Sequence, residues 1–250
     1  MLQIENLAKH FGGVTVFTDV SFQAAPGAVT ALIGPNGAGK STMVNIICGV
    51  FPADAGRVLK DGRDLSGISP SRAVAGGLAR TFQDVRLFPT LTLLENVMVA
   101  FPDQPGDRVH RLFTPGWQSS ERRNKVMAER LLAELGIAEH AHTEAEQVPF
   151  GFQKLCAVAR AVATGADTLL LDEPAAGVEA AHIPLLTALV KKLRDQGKTV
   201  VFIDHNVDVV AEVADRVVVL VGTVIAAGDT NSVLRNEHVI KEYLGRIYDA

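Results

Sequence analysis

The sequence predicts an α/β fold with a largely parallel core sheet, antiparallel strands at the N-terminus and an inserted helical subdomain. The first observation is a short apolar strand, Val29–Ile33, that leads directly through a glycine-rich loop into a helix over Ser41–Cys48. The second is a series of short apolar runs that return later and are separated by a helical pattern at Ile183–Gln196. These runs are Thr168–Leu171, Thr199–Ile203 and Arg216–Val221. Strands that alternate with helices favour a parallel sheet.

The N-terminal and middle segments complete the predicted fold. Leu2–Leu7 and Val14–Gln23 have the apolar patterns of strands, with Gly12–Gly13 as the turn between them. In the middle, Glu121–Leu135 and Lys154–Ala163 show helical spacing, whereas Phe101–Ser120 is rich in loop-forming residues. We therefore expect residues 1–250 to form one domain, into whose α/β core residues 85–164 are inserted as a helical subdomain.

Composition excludes several classes of function. The 250 residues carry a net charge of −4, which argues against a nucleic-acid groove. Cys48 and Cys156 stand alone without metal-binding spacing, so buried thiols are expected. Apolar stretches such as Val217–Val221 are far shorter than the roughly 20 residues that span a bilayer, and the N-terminus lacks the apolar region of a secretion signal. We expect any role at a membrane to depend on a partner.

Residues Gly34–Ser41 match the phosphate-loop pattern G-x-x-x-x-G-K-[ST]. Glycines at both ends let successive backbone N–H groups turn inward around an anion, and the following helix directs its positive end to the same point. Lys40 is predicted to reach the β- and γ-phosphates, and the Ser41 hydroxyl to ligate Mg²⁺. The candidate phosphate-binding residues are Asn36, Gly37, Ala38, Gly39, Lys40, Ser41 and Thr42.

Two acids, Asp172 and Glu173, follow a predicted buried strand. Because side chains alternate along a strand, neighbouring acids point differently and can take different tasks. We expect Asp172 to hold the hydration shell of Mg²⁺ and Glu173 to polarise the attacking water. His205 follows the next strand, and parallel neighbours would bring it to the same sheet edge, where it is expected to contact the γ-phosphate.

Together these segments resemble the nucleotide-binding domain of ATP-binding-cassette (ABC) transporters along essentially the whole chain. The resemblance includes the phosphate loop, Gln83 in Arg80–Gln83, the two acids, Ala176–Glu179 and His205. Further segments are similar to the ATP-binding subunits of branched-chain (hydrophobic) amino acid importers: Phe11–Gly13, Ala79–Pro89, Leu94–Ala100 and Tyr243–Gly245.

The resemblance implies an ATPase motor with ATP and Mg²⁺ as cofactors. Gln83 would contact Mg²⁺ or the lytic water and sense the membrane-spanning partner. Phe11 would stack on the adenine, a contact that a flat apolar ring supplies well, and Val16 would share that surface. The family usually has Asp or Asn at the dimer interface where this chain has Glu179. The resemblance therefore gives only weak support for the same role of Glu179. The segment after Gln83 would dock a short helix of the permease.

One segment departs from the family pattern. Val148–Lys154 stands where the family signature L-S-G-G-Q binds the ATP of the opposite subunit. Pro149 replaces the serine and Phe152 the first glutamine, while Gly151 keeps its backbone N–H and is the candidate contact to that ATP. The hypothesis is that this chain pairs with a second, non-identical ATPase and that the two ATP sites hydrolyse unequally.

The resemblance also implies partners and a location. It implies permease subunits, a second ATP-binding subunit and, indirectly, a periplasmic or extracellular solute-binding protein, with the chain at the cytoplasmic face of the membrane. Two alternatives stay open: a nucleotide-sensing module with little turnover, and a soluble ABC ATPase without a transport role. The latter class usually has two cassettes or a long coiled coil, which 250 residues do not accommodate. Amides, urea or aromatic acids remain alternative solutes.

Overall fold

A computed structural model describes residues 1–102 and 117–244. Its strands are β1 (Leu2–Phe11), β2 (Val14–Ala24), β3 (Ala28–Ile33), β4 (Ala55–Lys60), β5 (Arg63–Asp64), β6 (Leu78–Arg80), β7 (Thr168–Asp172), β8 (Thr199–Ile203), β9 (Arg216–Leu220) and β10 (Val224–Asp229). Its α-helices are α1 (Lys40–Ile47), α2 (Pro70–Ala75), α3 (Leu93–Met98), α4 (Trp117–Glu134), α5 (Phe150–Ala163), α6 (Ile183–Asp195), α7 (Val207–Val213), α8 (Thr230–Leu234) and α9 (Glu237–Val239). Single 3₁₀ or π turns cover Ala138–His140, Ala145–Gln147 and Ile240–Leu244.

The strands form two sheets within the described part of the chain. One is antiparallel, in the order β2-β1-β4-β5. The other has the order β10-β9-β3-β8-β7-β6, and all of its pairs are parallel except that of β10 with β9. This arrangement confirms the predicted fold class.

The burial of the strands follows from their sequences. Strands β7 and β8 are buried at every position, as expected for apolar runs covered on both faces of a parallel sheet. Strand β1 instead alternates on either side of an irregularity between Ile4 and Leu7, with Leu2 and Ile4 buried before it and Leu7 and Lys9 buried after it. Because β3, β7 and β8 are parallel, their carboxyl ends lie at one edge of the sheet, which is where the predicted site residues follow them.

Two compact units can be distinguished in the chain. The first comprises residues 1–80, 167–173 and 190–250, and the second comprises residues 81–166 and 174–189. The first unit contains the strands of both sheets. In the second, α3, α4 and α5 pack together around buried side chains that include Leu93, Leu132 and Leu155. The predicted subdomain at residues 85–164 stays a prediction.

Two boundaries differ from the sequence-based expectation. Helix α4 begins at Trp117, so the predicted loop Phe101–Ser120 ends earlier than expected, and residues 103–116 lie outside the described residues. No glycine or proline follows Gly116 in that stretch, so nothing in the sequence opposes the helix there. Helix α5 begins at Phe150 with Pro149 at its N-cap, a helix end at which the absence of a proline N–H costs little.

A buried asparagine organises the loop before α3. The Asn96 side chain is fully buried, and its Oδ1 accepts a hydrogen bond from the Phe88 N–H at 2.8 Å. Its Nδ2 lies within hydrogen-bond distance of the Phe88, Leu91 and Thr92 carbonyls, at 3.0–3.1 Å. Thr92 also caps α3 through a reciprocal capping box with Glu95. One side chain thus satisfies several backbone groups of the loop that presents Phe88, which is 54% exposed.

We expect Asn96→Ala to lower the free energy of unfolding by about 2–4 kcal/mol, because a fully buried side chain is lost and partly buried backbone groups lose their hydrogen-bond partner. Urea unfolding measures the change. Asn236→Ala is the matched control: Asn236 accepts a single hydrogen bond, from the His238 N–H at the start of α9, so its loss should cost about 1 kcal/mol. Equal losses in the two variants would contradict the role assigned to Asn96.

Candidate functional site

The phosphate loop lies between the end of β3 and the start of α1 in the first unit. Gly39, the last residue before α1, has a φ of 94°, which favours glycine. A Cβ on Gly39 would also lie 2.7 Å from both Val16 Cγ1 and Phe17 Cδ1. The loop can therefore pack this closely against β2 only with glycine at this position. The contact also places Val16 directly beside the loop.

Lys40 is buried inside the phosphate loop. Its side chain is held by hydrogen bonds from Nζ to the carbonyl oxygens of Gly34 at 2.7 Å and Pro35 at 2.9 Å. Burial lowers the pKa of Lys40, and the negative charges of Glu173 and Asp172 oppose that effect. The Lys40 ammonium and the two carboxylates therefore interact electrostatically, although more than 130 positions separate them in the sequence.

The two acids at the end of β7 differ in their surroundings. Asp172 is 1% exposed and pairs in register with Ile203 of β8. Glu173 is partly exposed, its N–H donates to the Ile203 carbonyl at 2.7 Å, and its φ is 47°. The positive φ is uncommon for a residue other than glycine. Because the chain turns here, the neighbouring acids occupy different environments, as their different predicted tasks require.

His205 follows β8 at the same sheet edge as Glu173. Its side chain is 60% exposed, and its Nδ1 lies 3.8 Å from Oδ1 of the buried Asp204. That carboxylate also accepts a hydrogen bond from the Asn206 N–H at 3.0 Å. Asn206 in turn caps α7 by accepting hydrogen bonds from the first-turn N–H groups. An exposed imidazole is thereby held on a hydrogen-bonded turn, as its predicted phosphate contact needs.

The predicted base-stacking residue, Phe11, ends β1. Its ring is half exposed and packs edge to face against Phe51, with centroids 5.6 Å apart and an interplanar angle of 80°. The Nζ of Lys9 lies 5.1 Å from the Phe11 centroid. Phe11, Val16, the phosphate loop, the two acids and His205 all belong to the first unit.

Gln83 and the signature segment belong to the second unit. Gln83 is exposed, and its backbone carbonyl accepts a hydrogen bond from Nζ of the buried Lys154 on α5. The Lys154 ammonium also lies 5.6 Å from the centroid of the Phe150 ring. A Cβ on Gly151 would lie 2.6 Å from the Gly177 carbonyl oxygen. The predicted signature glycine therefore packs directly against the Ala176–Glu179 segment.

The substituted position Phe152 is packed between two histidines. Its ring centroid lies 4.8 Å from that of His140 and 5.0 Å from that of His182. Pro149 takes the N-cap position of α5 and makes no side-chain capping bond. Phe152 therefore supplies an aromatic contact where the family pattern has a glutamine. Pro149 supplies no hydroxyl where the family pattern has a serine.

Sequence reasoning missed Lys9 and Lys154, although a signal for each is present. Lys9 lies two positions after the buried Leu7 on β1, so it shares the inward face of that strand. Lys154 shares the apolar face of α5 with Leu155 and Val158. A lysine on an apolar face is buried only when its ammonium finds partners, and these partners are distant in sequence.

The model of the family described as ABC transporter matches residues 17–176. The chain belongs to the ABC transporter family. Among its relatives is the high-affinity branched-chain amino acid transport ATP-binding protein LivG of Escherichia coli, 34% identical over 249 residues, which cover 98% of each chain. This result confirms the resemblance stated from the sequence.

Solved ABC cassettes have the same fold. An ATP-binding cassette of an ABC transporter in its ADP conformation is 31% identical, with a TM-score of 0.81 and 98% of each chain covered. A dimeric cassette in a post-hydrolysis state, bound to ADP and Pi, is 25% identical with a TM-score of 0.78, covering 92% of this chain and 99% of its own. No helix in the described part of this ABC cassette combines the length and apolar character needed to cross a membrane.

Proposed function

We propose that this chain is the ATP-hydrolysing motor subunit of an importer for branched-chain or related hydrophobic amino acids. The observation that carries the proposal is that β8 joins the end of β3, which leads into the loop of the buried Lys40, to the end of β7, which bears Asp172 and Glu173, in a member of the ABC transporter family. The relatives named for branched-chain amino acid transport support the class of solute. Amides, urea and aromatic acids would fit the same motor, because the ATPase subunit does not contact the solute.

The residues of the first unit fit a magnesium nucleotide. The loop offers backbone N–H groups at the N-terminus of α1 together with the buried Lys40 ammonium, which suits phosphate oxygens. Ser41 and Asp172 offer hydroxyl and carboxylate oxygens, the ligands that Mg²⁺ prefers. When bound, Mg²⁺ would neutralise charge on the phosphate oxygens.

The acids and the histidine would divide the chemistry. Glu173, partly exposed at the sheet edge, would accept a hydrogen bond from the attacking water and orient it. His205 would contact the γ-phosphate from the turn after β8. Phe11 would stack on the adenine with Val16 beside it, while residues Asn36 to Thr42 would hold the phosphates. Positioning and electrostatic stabilisation would supply most of the acceleration.

Hydrolysis would require a second ATP-binding subunit. The dimeric cassette bound to ADP and Pi supports pairing within this fold. We propose a heterodimer, because Pro149 and Phe152 alter the signature that this chain offers to its partner while its own Lys40, Glu173 and His205 are present. ATP bound at Lys40 of this chain would then be hydrolysed faster than ATP at the partner's loop. The absent serine hydroxyl is worth about 1.5–3 kcal/mol as a hydrogen bond to a charged phosphate.

The transporter partners would meet the exposed segment after Gln83. Phe88, held by Asn96, presents an exposed ring suited to a short apolar helix of a permease. Through that permease the chain would lie at the cytoplasmic face of the membrane, and a periplasmic or extracellular solute-binding protein would act indirectly. The altered signature also favours one second candidate, a nucleotide-sensing module with little turnover.

Phosphate release distinguishes the motor from the sensor. The purified chain is assayed with Mg²⁺ and ATP, alone and together with the permease and ATPase subunits that copurify with it. The motor proposal expects release to be stimulated at least about tenfold by the membrane partners. Tight ATP binding with no release in either condition would contradict the motor and favour the sensor. Copurification without any membrane-spanning chain would contradict the transport role.

A further inference from the structure

The Lys9 ammonium, near the end of β1, is surrounded by Phe11, Phe51, Pro52 and Asp54, which we call the Lys9 cage. The lysine is only 7% exposed, and its Nζ donates to the Pro52 carbonyl at 3.0 Å and to Asp54 Oδ1 at 2.8 Å. The same ammonium lies 5.1 Å from the Phe11 ring centroid and 5.8 Å from that of Phe51. An ammonium has three N–H groups, so two bonds to oxygen leave the third for the faces of the aromatic rings.

Asp54 ties this cage to the backbone on both sides of Lys9. Its Oδ2 accepts a hydrogen bond from the His10 N–H at 2.6 Å, and its own N–H donates to the Ala8 carbonyl at 3.0 Å. The hydrogen bond from Lys9, followed by that from His10, lowers the pKa of the Asp54 carboxyl. The loop Phe51–Asp54 is therefore fastened to β1 at the residues that immediately precede Phe11.

Of the two aromatic rings in the Lys9 cage, Phe11 keeps an exposed surface that could contact a ligand. Phe51 meets Phe11 edge to face, while half of the Phe11 surface remains exposed. A large apolar side chain that is both exposed and held from beneath is suited to stacking on a flat ligand, because little conformational freedom is lost on binding. The loop of the cage also follows α1, the helix that begins at Lys40, so it connects the ring with the element that carries the phosphate loop.

We infer that Lys9 is a positioning residue for the nucleotide base. Lys9 holds Phe11 in the orientation that stacks on the adenine, through its contact with the ring and through the carboxylate bridge that fixes the adjacent backbone. The inference rests on the proposed function, in which Phe11 stacks on the base. It adds that base recognition depends on a buried cation that does not touch the nucleotide.

Binding of ATP and of inorganic tripolyphosphate by the full chain separates this role from a structural one. Tripolyphosphate carries the phosphates and lacks the base. We expect Lys9→Met to weaken ATP binding about five- to tenfold and to leave tripolyphosphate binding within about twofold. Lys9→Arg keeps the charge and should restore ATP binding to within about threefold. Isothermal titration calorimetry measures both ligands, and thermal unfolding reports on the fold.

Lys60→Met is the matched control. Lys60 is equally buried, at 6% exposed, and its Nζ is paired with Asp167 at 2.9 Å and Asp61 at 3.0 Å. It lies opposite Leu2, at the other end of β1 from Lys9. Its replacement removes a buried lysine with two carboxylate partners, yet it should leave the ratio of ATP to tripolyphosphate affinity unchanged. If Lys9→Met fails to fold, Asp54→Asn loosens the same cage from its exposed side and should lower that ratio.

The outcomes separate the inference from the proposed function. Phe11→Ala should lower the affinity ratio at least as much as Lys9→Met. A lowered ratio in Phe11→Ala with an unchanged ratio in Lys9→Met and Asp54→Asn would overturn the role of Lys9 alone. Equal weakening of both ligands in Lys9→Met would also overturn it, because the effect would then be general. An unchanged ratio in Phe11→Ala would contradict the stacking role of Phe11 and with it the role of Lys9, whereas a wild-type chain that binds no ATP would contradict the proposed function.

Discussion

Replacing Glu173 by glutamine is expected to slow ATP hydrolysis by at least about 100-fold while leaving ATP binding within about twofold. The substitution keeps the shape of the side chain and its backbone bond to the Ile203 carbonyl, but it removes the carboxylate that would polarise the attacking water. The first-order rate of phosphate release, measured in the complete transporter at saturating ATP, tests this expectation, and a fluorescent nucleotide analogue reports binding.

Glu5→Gln is the control for Glu173→Gln. Glu5 is a carboxylate of the same unit that pairs with Arg57 at 2.7 Å on the surface, so its loss should leave hydrolysis unchanged. Hydrolysis retained in Glu173→Gln at more than about a tenth of the wild-type rate would contradict the assignment of Glu173 as the base.

The same substitution tests whether the two ATP sites are unequal. In a heterodimer, Glu173→Gln in this chain should reduce transport far more than the equivalent change in the partner ATPase. The reason is that the partner's signature would complete the site at Lys40, whereas the signature of this chain, altered at Pro149 and Phe152, would weaken the other site. Equal losses of transport from the two changes would contradict the hypothesis that the two ATP sites hydrolyse unequally.

Replacing Lys40 by methionine is expected to weaken ATP binding by at least about 100-fold. Two charged hydrogen bonds to phosphate oxygens, at about 1.5–3 kcal/mol each, account for a change of this size. Methionine preserves the length and apolar stem of a side chain that is only 8% exposed, so the fold should be retained. Titration calorimetry measures the affinity, and thermal unfolding of the nucleotide-free variant checks the fold.

The pKa of Lys40 adds a pH dependence to this prediction. Burial lowers the pKa of the free ammonium from 10.5, while bound phosphates favour the charged form and raise it. Lys40 therefore loses its proton at a lower pH in the free protein than in the nucleotide complex. ATP affinity should consequently fall as pH rises through the lowered pKa of Lys40 in the free protein. Lys40→Met should lack this alkaline loss of affinity. Identical alkaline profiles in the two proteins would contradict the role of Lys40 as the titrating group.

The sequence by itself determined the parts of this protein that depend on local pattern. The phosphate loop is continuous in the chain, and its strand and helix follow from the short apolar run and the helical spacing on either side. The position of His205 at the same sheet edge as Glu173 was also predictable, because neighbouring parallel strands end at one edge. Apolar runs sufficed to predict β7 and β8 because these strands are covered on both faces.

The tertiary structure decided which side chains support those parts. The partners of Lys9 come from the loop before β4, about 45 positions later, and Lys154 reaches the Gln83 carbonyl across 71 positions. Asn96 shows the same dependence at shorter range, since only the folded loop brings its backbone partners together. A polar side chain is buried only where the fold supplies its hydrogen-bond partners, and a single sequence records the side chain without the positions of those partners.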